Sequence, residues 1–167
     1  QGVMGKYFAI EQGFEEDISM AISDHYLPSG INSVVPKKPI SAAVSLIDKI
    51  DMLVGFFGIN EKPSSSKDPF ALRRTAIGLL RIIIENKLIV QLKDLINYSV
   101  VTYKEQNIKF TNTSVTKEVL IFLRERFKNI LKDKKIRNDI IEAVAASHTG
   151  NDFLVLYKKC FIINKNI

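Results

Sequence analysis

Two stretches constrain the fold more than anything else in the chain. Residues 40–57 are apolar on most faces, and residues 76–84 are apolar all round except for Arg81. Neither shows the strict alternation of a half-buried strand; length and apolar spacing are helical in both. A helix that is apolar on most faces must be covered by others, so these two are expected to form the core. Neither reads as a membrane span. Asp48, Lys49, Asp51 and Arg81 interrupt them, and crossing a bilayer takes about 18 uninterrupted apolar residues.

The remaining segments supply the cover. Residues 3–11 read as the tail of a helix that stops near Gly13. In residues 15–27, Ile18, Ala21, Ile22, His25 and Tyr26 recur at helical spacing behind an acidic start (Glu15, Glu16, Asp17) that suits the helix dipole. Pro36 and Pro39 keep residues 29–39 a loop. After a second loop at 58–67, Asp68 is placed to cap a helix with Pro69 at its first position, running to about Asn86. Residues 88–103 are amphipathic through Leu88, Leu92, Leu95, Ile96 and Ser99. Thr113 and Ser114 offer caps for residues 116–132, which turn Val119, Leu120, Leu123, Phe127, Ile130 and Leu131 inward. Residues 136–147 and 152–163 complete an all-α, multi-helix bundle, divided into a lobe at 1–87 and a helical extension at 88–167.

At 167 residues, 46% hydrophobic and 25% charged, the chain can bury a real core and is not disordered. The single Cys160 excludes an internal disulfide and a multi-cysteine metal site, and makes a reducing cytoplasm the natural compartment. The opening residues lack the layout of a signal peptide, and without an initiating Met the chain reads as a segment of a longer protein. Charge is uneven. Residues 1–60 hold four Lys against seven Asp or Glu, net −3, whereas residues 61–167 hold twenty Lys or Arg against eleven, net +9. A basic second half points to an anionic partner such as RNA, or only to a solvated helical surface.

Residues that carry chemistry are sparse. His25 and His148 each stand alone, so neither has the converging ligands a metal needs. Asp48 and Asp51 share a helix face and suit either a divalent ion or, more readily, a pairing with Arg from the next helix. Cys160 lies among Phe161 and Ile162 and reads as a small core residue. No glycine-rich phosphate loop, nucleophile elbow or zinc signature is present, so no catalytic and no metal-binding residue is assigned. The informative stretch is 62–81: Lys62, Lys67, Arg73 and Arg74 flank Ser64, Ser65 and Ser66 at a helix start, a plausible phosphate cradle. Lys67, Arg74 and Arg81 are spaced for one basic stripe, with Glu85 at the right distance to pair with Arg81 instead. Arg124, Arg126 and Lys128 form a second, weaker basic set.

The run SAAVSLIDKIDMLVGFFGINEKPSSSKDPFALRRTAIGLLRIIIE, residues 41–85, resembles the middle of the bacterial glycyl-tRNA synthetase β-subunit family. QGVMGKYFA at 1–9 and AISDHYLP at 21–28 match the same region in order. FLRERF and DIIEAV, within residues 116–145, resemble the family's next helical part more loosely. The resemblance implies a helical lobe at 1–87, truncated at its N-terminus and related to the His-Asp phosphohydrolase superfamily, serving binding rather than hydrolysis. Of that superfamily's metal motif only an Asp such as Asp48 survives here, and Asp24-His25 is in the wrong order for its His-Asp pair. Where the family typically has Thr-Gly, this chain has Ser64-Ser65. The implied role is a non-catalytic segment that positions tRNA(Gly) for glycylation by a partner α subunit, which uses ATP and Mg. The segment would hold no cofactor itself, and its partners would be tRNA(Gly), the α subunit and the remainder of the β subunit, with no membrane. The rival readings are a metal-dependent phosphohydrolase and a structural spacer or α-subunit docking module.

Overall fold

The computed structural model describes residues 2–30, 32–147 and 152–165. These form helices α1 (Val3–Glu11), α2 (Glu16–Asp24), α3 (Pro39–Gly58), α4 (Leu72–Glu85), α5 (Leu92–Glu105), α6 (Val115–Asp133), α7 (Asn138–Ser147) and α8 (Phe153–Lys165). No strand occurs among the described residues. The chain is an all-α bundle, as the periodicity predicts. His148 lies outside the described residues.

The two apolar stretches do become the centre. Helix α3 packs against α2, α4, α5 and α6, and α4 packs in turn against α6 and α8. Leu53, Val54, Ala76, Leu79, Leu80 and Ile82 are wholly excluded from solvent. Each large aliphatic side chain so buried contributes about 1.5–3 kcal/mol. The division expected at residue 87 falls between α4 and α5. One buried cluster crosses it, joining Leu79 and Ile83 to Leu92, Ile96 and Leu123 and running on to Phe153 and Cys160.

Helix ends depart from the expected boundaries in a consistent way. Helices α3, α4, α5 and α6 are each followed by a non-glycine residue in the left-handed region: Asn60, Lys87, Asn107 and Lys135, with φ of 55–62°. The next N–H bonds back to the carbonyl five residues earlier, as in Leu88 to Ile83 at 2.9 Å and Ile136 to Leu131 at 3.1 Å. This closing motif satisfies orphan carbonyls and ends the helix whether or not glycine is available. The turn at Lys87 therefore expels Leu88 from α5, which starts at Leu92.

The start of α4 also shifts. Pro69 is not its first residue. It sits inside a tight turn closed by the Ala71 N–H on the Asp68 carbonyl at 3.1 Å, and Ala71 takes φ 54°. Pro presets the backbone for the second position of such a turn, so the helix begins only at Leu72.

Helix α2 attaches to α3 through a polar seam. Lys49, 4% exposed, donates to the Leu27 carbonyl at 2.8 Å, Ser45 Oγ at 3.0 Å and the His25 carbonyl at 3.2 Å. Burial lowers its pKa to about 8, with nearby Asp48 opposing the shift.

Candidate functional site

The loop between α3 and α4 carries most of the predicted contacts, and it is well tethered. Ser64 and Lys67 close a turn on each other: the Ser64 N–H meets the Lys67 carbonyl at 2.9 Å, and the Lys67 N–H meets Ser64 Oγ at 3.1 Å. Neither Ser64 nor Ser65 needs a left-handed φ, so the absence of the family's glycine is accommodated. The Arg73 guanidinium folds back onto the Ser64 carbonyl and approaches that of Ser65 at 3.4 Å. Lys62 reaches Glu118 of α6 at 2.5 Å, and this contact holds the Glu118 carboxyl below its usual range.

The cradle itself takes a different form from the expected one. Asp68 Oδ1 accepts the Leu72 N–H at 2.8 Å and Oδ2 accepts the Arg73 N–H at 3.0 Å. The cap is as predicted, but the chain's own carboxylate thereby occupies the N–H groups an incoming phosphate would use. What remains open is cationic side chain. Lys67 and Arg74 are exposed, and neither makes an ion pair among the described residues. Ser65 and Ser66 are exposed beside them. Arg73, Arg74, Asp68 and Gly30 line one recess of about 360 Å³.

Other predicted residues are engaged elsewhere. Arg81 pairs with Glu85 at 2.8 Å, the i,i+4 alternative, and donates to the Gly30 carbonyl at 3.2 Å. Lys67 precedes the helix, so the three-residue stripe does not form on one helical face. In the second set, Lys128 binds Glu142 at 2.8 Å. Arg126 lies 4.7 Å over the Phe122 ring, with its Nε buried and lacking a hydrogen-bond partner. Arg124 is exposed at the rim of an apolar recess of about 240 Å³ that reaches Cys160.

Asp48 and Asp51 are exposed rather than paired with Arg74 or Arg81. They border a recess of about 550 Å³ with Tyr26, Phe56 and Tyr103. Burial, with Asp51 adding to it, pushes the Tyr103 hydroxyl up to about 12. His25 Nδ1 donates to the Ile22 carbonyl at 2.8 Å and its ring packs 3.9 Å from Tyr26, as suits a boundary residue. Among the described residues no three His, Cys, Asp or Glu side chains are arranged to hold a metal ion. No helix there is long and apolar enough to cross a membrane. Burial raises the Cys160 thiol, which disfavours the nucleophilic thiolate.

The sequence reading missed one basic grouping. Lys104, Lys109 and Lys117 border a recess of about 800 Å³ where α5 gives way to α6. They are separated by a loop and form no periodic pattern, so only the tertiary turn brings them together.

Comparison with known proteins agrees with the motifs. The family model described as glycyl-tRNA synthetase beta subunit matches residues 1–146. The glycine–tRNA ligase beta subunit of Paracoccus denitrificans is 42% identical over 156 residues, 93% of this chain and 21% of the relative. That of Colwellia psychrerythraea is 44% identical over 146 residues, covering 87% and 21%. That of Clostridioides difficile is 38% identical over 164 residues, covering 98% and 23%. The chain thus spans about a fifth of the length of these relatives. With the family model matched over residues 1–146 and these identities over most of its length, the chain belongs to the glycyl-tRNA synthetase beta subunit family.

Proposed function

We propose that this segment is a non-catalytic contact for tRNA(Gly), positioning it for glycylation by a partner α subunit that binds ATP and Mg. The observation that carries the reading is the pair Lys67 and Arg74. Both cations are exposed and form no ion pair among the described residues, on a loop and helix start that Asp68, Arg73 and Lys62 hold in place. Long cations on a fixed backbone lose less freedom on meeting phosphates than cations on a mobile loop. Their contribution is electrostatic positioning and counterion release; the sequence of the RNA would be read elsewhere.

The test uses full-length β subunit assembled with its α partner. Lys67→Ala with Arg74→Ala should raise the KM for tRNA about tenfold and flatten its salt dependence by roughly one to two logarithmic units of slope. Glycyl-adenylate formation without tRNA should stay unchanged. Charging kinetics identical to wild type would leave the segment as a spacer or a docking module.

A further inference from the structure

The recess between α5 and α6 carries charge that no ion pair balances among the described residues. Lys104 comes from the last turn of α5, Lys109 from the connecting loop and Lys117 from the first turn of α6. All three are exposed, and none forms an ion pair among the described residues. No Asp or Glu lines the recess. Two acids are next in sequence: Glu118 is occupied by Lys62 and by Asn112 Nδ2 at 2.9 Å, and Glu105 is exposed outside the lining and forms no ion pair among the described residues. Three like charges around one concavity raise the local potential and concentrate anions there.

The floor differs from a plain solvated patch. Val100, Ile108 and Phe110 are among its lining residues, so an apolar surface lies beneath a cationic rim. That combination suits a chain alternating flat apolar rings with phosphates, as single-stranded or looped RNA does. The rim is also fixed in place. Phe110 packs on Gly58, where even an added methyl would meet the ring at 2.4 Å, and Thr111 and Asn112 donate to the Gly58 carbonyl at 3.0 Å. The Ser114 side chain at the start of α6 makes no capping hydrogen bond, whereas Asp68 caps the start of α4.

We infer that this recess holds a stretch of unpaired RNA, with Lys104, Lys109 and Lys117 on its phosphates and the apolar floor under a base. The inference rests on the reading of the segment as a tRNA contact, yet it uses none of the same side chains. Full-length β subunit with its α partner is titrated with tRNA(Gly) between about 50 and 200 mM salt. Three versions are compared with wild type: Lys104, Lys109 and Lys117 all to Ala, the same three all to Arg, and the Lys67→Ala/Arg74→Ala pair. The triple Ala variant should bind about tenfold more weakly and lose roughly two units of salt slope, at about 0.7 per single-strand phosphate. The triple Arg variant should restore both. Unchanged binding and slope in the triple Ala variant, with a defect in the pair, would overturn the recess and leave the proposed function standing. No defect in either would remove both. Failure of Arg to rescue, or loss of α-subunit assembly with the slope intact, would also overturn the recess, the latter assigning it to a protein partner.

Discussion

Arg73 is bound to Asp68 through its backbone, N–H to Oδ2 at 3.0 Å, while its guanidinium reaches the opposite way onto the Ser64 carbonyl. One residue therefore ties the helix start to the loop before it. A cap of this kind is worth about 1 kcal/mol and at most about 2. Asp68→Ala should destabilise the protein by that amount in denaturant unfolding, and Asp68→Asn by less. A variant as stable as wild type would show that water replaces the carboxylate without loss.

Gly58 allows Phe110 to lie against α3. Gly58→Ala puts a methyl 2.4 Å from the ring, and overpacking of this type costs about 1–3 kcal/mol. Adding Phe110→Leu should recover part of the loss. If Gly58→Ala unfolds at the same urea midpoint as wild type, the loop is softer than its packing suggests.

Lys135 is exposed, holds φ 60° and ends α6. Left-handed backbone costs an L-residue about 1–2 kcal/mol, offset in part by the greater unfolded-state freedom of glycine. Lys135→Gly should therefore raise stability by up to about 1 kcal/mol, seen as a higher melting temperature. A lower melting temperature would mean that the Lys135 side chain contributes more than its strain removes.

Lys49 gives a pH signature. Its folded pKa of about 8 lies below the ordinary 10.5, so from pH 8 to 10.5 the unfolded chain holds more proton than the folded one. Stability then rises with pH across that window, because the charged ammonium is the form disfavoured by burial. Lys49→Met deletes this slope. The stability of wild type minus that of Lys49→Met should grow between pH 8 and 10.5; a constant difference would place the Lys49 pKa at its usual value.

The core was legible because it rests on local pattern: 40–57 and 76–84 are apolar enough to seed the centre, although Ile40, Val44 and Ile47 leave one side of α3 exposed, and Arg81–Glu85 follows from i,i+4 spacing. Helix ends were less so. Lys87 and Lys135 look like ordinary helix formers, and nothing in a one-dimensional pattern says that they take φ near 55–60°. Asp68 was recognisable as a cap, but a cap and a phosphate compete for the same N–H groups, and the sequence does not say which prevails. Lys62–Glu118 and the Lys104, Lys109 and Lys117 group depend on how distant segments fold together.

The end of α3 has a consequence for local opening. Besides its own closing turn, a loop some fifty residues away bonds its last carbonyls: Asn112 Nδ2 donates to Phe57, and the amides of Thr111 and Asn112 donate to Gly58. Those two loop amides can exchange with deuterium only when their bonds to the end of a core helix open. They should be protected far beyond the norm for residues at the surface, so that solvent meets this connection as part of the interior.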